Sequence, residues 1–125
     1  MSWDIVLFNS DEKITSVRTL DESKLMPTDF CLVFEKYFPE IIKDNNHRKI
    51  KGKDFSVNYF LDKEPVSNKL LSLYGENGIY ELIELSKKNN WQIFDMSLEQ
   101  MIDLDNPSKN GYMKFKEYLK QILER

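Results

Sequence analysis

The only histidine in the chain is His47, set between Asn46 and Arg48 in a polar stretch. Imidazole chemistry there would need a carboxylate, a nucleophile or a metal brought in from elsewhere in the chain. A small hydrolase or transferase using His47 with a carboxylate is therefore one reading; the ordinary one is a solvated loop residue. The only cysteine, Cys31, follows Phe30 and has no Lys, Arg or His beside it to favour the thiolate, so it reads as a buried, inert thiol. One cysteine also excludes an intramolecular disulfide and a cysteine zinc site within the chain.

Asp95, Glu99, Asp103 and Asp105 fall in a stretch without Lys or Arg. Clustered carboxylates can hold a divalent cation or steer a basic partner. The spacing lacks the glycine and the alternating oxygen ligands of a calcium loop, so no metal is expected. These four residues, with Tyr112 as an aromatic anchor, form the candidate partner-binding surface; the plain alternative is a solvated acidic loop. The opposite patch, HRKIKGK at residues 47–53, is one short turn without interleaved aromatics, and a solvated hairpin edge explains it as well as an anion site does. Tyr74-Gly75-Glu76-Asn77-Gly78 resembles a phosphate-binding turn only superficially. It is not GxGxxG, it lacks the lysine of a P-loop, and Glu76 would repel an anion. No catalytic residue and no cofactor emerges.

These groups are positioned by elements organised around residues 69–95, which read as strand, tight turn, amphipathic helix and strand. Ile79, Leu82, Ile83 and Ser86 recur at helical spacing while Glu81, Glu84, Lys87 and Lys88 take the other side, so one helix face must be buried. Asn77 is placed to cap the start, and Asn89-Asn90 to supply a left-handed end. Before this, residues 3–9 form a strand apolar on both faces, and hence central. Residues 10–27 are a loop or contain a short strand at 14–18. A first helix comes next, capped by Thr28 and ended or kinked by Pro39, with residues 40–43 a further turn and 44–47 a polar turn. Phe55, Val57, Tyr59 and Leu61 alternate as a half-buried strand that returns through residues 62–67 to residues 69–74. A short strand near Met101 and a C-terminal helix over residues 108–125 complete the order. This is an α+β chain in the order of a ferredoxin-like split βαβ antiparallel sheet, with an extra short strand and a terminal helix. Right-handed crossovers put both core helices on one face, leaving the other for the terminal helix, residues 10–27 or a second copy.

At 125 residues a single domain is expected. Hydrophobic residues at 41% and aromatics at 13% exclude a disordered chain, and a net charge of -3 is too small to draw in nucleic acid by bulk electrostatics. The opening MSWDIVLF has no basic region and its apolar run is short; nothing approaches the roughly 20 apolar residues of a membrane span. A cytoplasmic protein is expected.

The opening Met1-Ser2-Trp3-Asp4, the LYGENGIYEL segment at residues 73–82, and WQIFD followed by MIDLDNP are similar to a family of small uncharacterised bacterial proteins. Proteins of this size and style resemble the immunity partners of polymorphic or contact-dependent toxins, which bind and block a toxin domain. The resemblance implies a non-enzymatic protein-binding module, with a basic toxin domain as its partner. It supplies no catalytic residue. A structural or regulatory homo-oligomer is the remaining reading.

Overall fold

A strand that is apolar on both faces needs neighbours on both sides, and the chain opens with one. In the computed structural model, which describes residues 2–61, 63–75 and 77–106, β1 (Trp3–Asn9) lies between β5 (Asn68–Tyr74) and β6 (Trp91–Asp95), antiparallel to both. Ile5 sits opposite Leu71 on one side and Asp95 on the other. The remaining strands are β2 (Ile41–Asp44), β3 (His47–Gly52), β4 (Phe55–Phe60) and β7 (Gln100–Met101). Among the described residues these seven make one antiparallel sheet in the order β2-β3-β4-β5-β1-β6-β7. The protein is thus of mixed α+β class.

The helices α1 (Phe30–Tyr37) and α2 (Gly78–Asn89) cover one face of this sheet. On α2, Ile79, Leu82, Ile83 and Ser86 are all buried, as the helical spacing requires, and Leu85 joins them. They meet Trp3, Ile5, Leu7, Leu71, Leu73 and Ile93 in a single hydrophobic cluster. From α1, Phe30 packs on Trp91 with ring centroids 4.7 Å apart, and Phe34 meets Tyr59 edge-on at 5.0 Å. Asn77 takes the N-cap position of α2 without a side-chain capping hydrogen bond. At the other end Asn90 adopts the left-handed conformation (φ 59°) and donates its N–H to the Ser86 carbonyl.

Two expectations are corrected and one open choice is resolved. Asp29, not Thr28, caps α1: its carboxylate accepts the Leu32 N–H at 2.9 Å, while the Thr28 backbone bridges to Val66. Pro39 does end α1, and Phe38 is extended because the residue before proline is barred from helix. The chain beyond Pro39 makes no further turn. Residues 41–52 form the β2–β3 hairpin, reversing at Asn45, whose φ of 52° asparagine tolerates, and pairing Ile41 with Ile50. Residues 10–27 hold two short 3₁₀ turns, at Val17–Thr19 and Glu22–Lys24, rather than a strand. The expected C-terminal helix lies outside the described residues.

Leu82 is fully buried at the centre of the helix–sheet contact. Leu82→Ala should cost about 2–5 kcal/mol in urea-monitored unfolding, whereas Glu84→Ala, on the solvent side of the same helix, should stay within about 0.5 kcal/mol of the parent.

Candidate functional site

A cleft of about 880 Å³ opens where the C-terminal end of α2 and the start of β6 meet two loops distant in sequence. The first loop, residues 10–15, is held by the Gln92 side chain, which accepts the Ile14 N–H and donates to the Glu12 carbonyl, both at 2.8 Å. The second, residues 102–105, comes after β7. There the Asp103 carboxylate accepts the N–H groups of Asp105 and Asn106 at 3.0 and 3.2 Å, which fixes the turn. Asp11, Glu12, Asp103 and Asp105 all line this cleft, against Lys13 and Lys87. Asp105 pairs with Lys87 at 3.5 Å and Glu12 with Lys24 at 3.6 Å; these are exposed pairs, weak in energy. Deeper in, the Ser86 hydroxyl is buried and has no hydrogen-bond partner among the described residues.

The structure therefore brings together two of the expected acidic residues, Asp103 and Asp105, and adds Asp11 and Glu12. Asp95 is corrected: it is 0% exposed, so it cannot face a partner. Alternation along β6 turns Trp91, Ile93 and Asp95 inward together. There one Asp95 oxygen accepts the Ser97 and Leu98 N–H groups at 2.9 and 3.3 Å, closing the turn into β7. Glu99 is exposed in that turn, with φ 53°, away from the cleft. Tyr112 lies outside the described residues.

His47 opens β3 rather than a turn. It is half-buried, with its ring edge-on to Phe60 at 5.5 Å, and it lines neither this cleft nor the two smaller ones. Its cross-strand partner is Asp44, but among the described residues no ion pair or hydrogen bond joins the His47 ring to a carboxylate. The basic segment is likewise a strand, with Arg48 donating to the Asn45 and His47 carbonyls at 2.6 and 3.0 Å and Lys51 and Lys53 exposed. Among the described residues no group of three or more His, Cys, Asp and Glu side chains is arranged to hold a metal, and no helix is long and apolar enough to cross a membrane.

A second polar cluster is buried at the other end of the core. Lys69 points inward from β5, in line with Leu71 and Leu73, and its ammonium donates to the Phe60 carbonyl. It lies 3.6 Å from the Glu64 carboxylate and 5.8 Å from the centre of the Tyr59 ring. The same Glu64 oxygen accepts the Cys31 N–H at 3.3 Å. Burial first, and then hydrogen bonding to Glu64, pushes the Cys31 thiol from 9.0 up to about 12. This is a thiol held neutral. Burial also raises the Tyr59 phenol above its ordinary 10.0.

The folded chain thus keeps the Cys31 proton at a pH where the unfolded chain has released it. Stability owed to Cys31 is intact below its ordinary value of 9.0 and is lost as the pH rises toward 12. Cys31→Ala should flatten the fall in unfolding free energy just above pH 9, by at most about 1.4 kcal/mol per pH unit. Tyr59 contributes in the same direction at higher pH. Urea titrations of both proteins across this range check it; equal slopes would show that Cys31 is not the group responsible.

Comparison with protein-family models, with curated proteins and with solved structures finds no match to this chain.

Proposed function

We propose that the chain is a non-enzymatic protein-binding module whose acidic cleft receives a basic surface of another protein, in the way the resemblance to toxin-immunity proteins implies. The observation that supports this is the convergence of Asp11, Glu12, Asp103 and Asp105 on one cleft, opposed among the described residues by Lys13, Lys87 and, through its pairing with Glu12, Lys24. With Lys24 counted through its pairing with Glu12, four carboxylates against three lysines leave a formal excess of one negative charge there among the described residues. Concave walls concentrate such a field, and a basic partner is steered and oriented by it. A toxin domain that acts on nucleic acid would carry a surface of the complementary sign. A single thiol held neutral by burial suits the reducing cytoplasm, where an immunity protein would meet its toxin.

We read the inner strands β4-β5-β1-β6, with α1 and α2, as the ferredoxin-like split βαβ pattern, into which the β2–β3 hairpin is inserted between α1 and β4. On this reading the cleft lies where the last core strand meets the additions beyond it, a region free to vary without disturbing the core. The hydrolase or transferase reading through His47 is less well supported, since His47, although opposite Asp44 across the hairpin, packs against Phe60 and lines none of the clefts described above.

Reversing Asp11, Glu12 and Asp105 together to lysine leaves the turn-forming Asp103 in place and changes only exposed side chains. Affinity capture from the native cell with each form, followed by mass spectrometry, should recover a basic protein with the parent chain. That protein should be lost with the triple variant and should elute at moderate salt, while the thermal unfolding midpoints of the two forms agree. Equal retention of the same partner by both forms would remove the cleft from the interface.

A further inference from the structure

Residues 63–67 cross the end of the core as a strap whose deepest anchor is a charged side chain. Lys63 and Pro65 are exposed, and Val66, the apolar member that packs against the core, is only partly buried. The backbone is tied at Val66, which exchanges hydrogen bonds with Thr28 at 2.8 and 3.0 Å, and at Ser67, whose carbonyl accepts the Asn9 N–H at 3.0 Å. Glu64 turns inward. Its side chain is 6% exposed, and one of its oxygens meets both the Lys69 ammonium and the Cys31 N–H.

This anchor is incompletely satisfied. The second Glu64 oxygen and the Tyr59 hydroxyl are both buried with no hydrogen-bond partner among the described residues. Such atoms weaken the closed arrangement and recover hydrogen bonds from water once the strap lifts. A segment held by one partly buried apolar side chain and a buried ion pair of small net value opens at a lower free energy than the whole domain unfolds.

Beneath the strap lies the Cys31 thiol, faced by Glu64 from the strap, Lys69 from β5 and Tyr59 from β4. Burial and Glu64 hold its proton on, whereas Lys69 pulls the other way through its charge and a hydrogen bond. Lifting the strap admits water and withdraws the carboxylate, while Lys69 stays on β5. The thiolate is then favoured, which is the form that reacts. We propose that residues 63–67 gate Cys31 as a modification site for low-molecular-weight disulfides, closed while Glu64 is docked and open to attack when the strap lifts. The Cys31 proton passes to water, and the thiolate attacks one sulfur of the disulfide. A new S–S bond forms to Cys31 as the old one breaks, and the other half departs as a thiolate with the bonding electrons. Cys31 is only 5% exposed, so the adduct does not fit beneath the strap and holds Glu64 off. The cleft carboxylates take no part, so this gate stands or falls independently of the partner proposed for the cleft.

Dithiodipyridine, a neutral aromatic disulfide, reads the gate in the full chain through the absorbance of the thiopyridone it releases. The folded parent should react at least tenfold more slowly than the same chain in concentrated urea, at a rate nearly independent of urea below the unfolding transition. Exchange of the Cys31 and Val66 amide protons, which bond to Glu64 and Thr28, should report the same opening. Glu64→Gln should speed modification tenfold or more, and Val66→Ala severalfold; should Glu64→Gln not fold, Val66→Ala and exchange in the parent decide. Adding Lys69→Met to Glu64→Gln should slow modification relative to Val66 exchange, a ratio that loosening alone does not move. The adduct should leave the Val66 amide unprotected until a thiol reductant removes it. A rate that climbs with urea in step with global unfolding would overturn the gate, as would a parent as reactive as the unfolded chain or a folded Glu64→Gln chain no faster than the parent. An unmoved ratio in the Lys69→Met chain would remove Lys69 from the proposal, and an adduct with Val66 still protected would overturn the switch.

Discussion

Every side chain on a β-strand is committed to one of two faces by the two-residue period of the backbone, and in this protein the described helices cover only one of them. That constraint fixes the rest. Trp3, Ile5 and Leu7 on β1, Val57 and Tyr59 on β4, Leu71 and Leu73 on β5, and Trp91 and Ile93 on β6 share the covered face and are all at most 2% exposed. Each such side chain contributes on the order of 1.5–3 kcal/mol through burial. A one-residue slip anywhere would forfeit the whole set on that strand. The register is therefore firmly held, and it dictates the occupants of the second face without further choice.

The same parity explains two charged side chains whose chemistry alone would place them at the surface. Asp95 and Lys69 stand at inward positions of β6 and β5, and each is 2% exposed or less. Burying a charge is tolerable only where donors or acceptors replace water. Asp95 finds backbone N–H groups in the turn beyond it, and Lys69 finds the Phe60 carbonyl and Glu64. Both close the ends of strands: Asp95 shapes the β6–β7 turn, while Lys69 draws the 61–67 connection down over Cys31 and the start of α1. Their value lies in fixing those ends in one conformation more than in net stability, because such a pair rarely improves on a well-packed apolar replacement.

Where a periodic signal runs undisturbed, the elements are legible in the sequence. Phe55, Val57 and Tyr59 announce β4, and Ile79, Leu82 and Ile83 announce α2 with its left-handed Asn90 cap. The β2–β3 hairpin is hidden because Ile41 continues the apolar stripe of α1 at helical spacing, so Pro39 reads equally as an end or a kink and the residues beyond it as a further turn. Asp95 is misplaced by a reading of charge alone, although its alternation with Trp91 and Ile93 carries the answer. The cleft is out of reach for a different reason. Its two loops meet through Gln92, which is bonded to Ile14 across 78 residues of chain, and nothing local in either loop records that meeting.

The energy of the cleft depends on conditions in a way that separates the start of an encounter from its duration. The cleft relies on exposed carboxylates, whose attraction for a basic partner is long in range but is screened within about 8 Å at physiological ionic strength. It can set the rate and orientation of an encounter more readily than its lifetime.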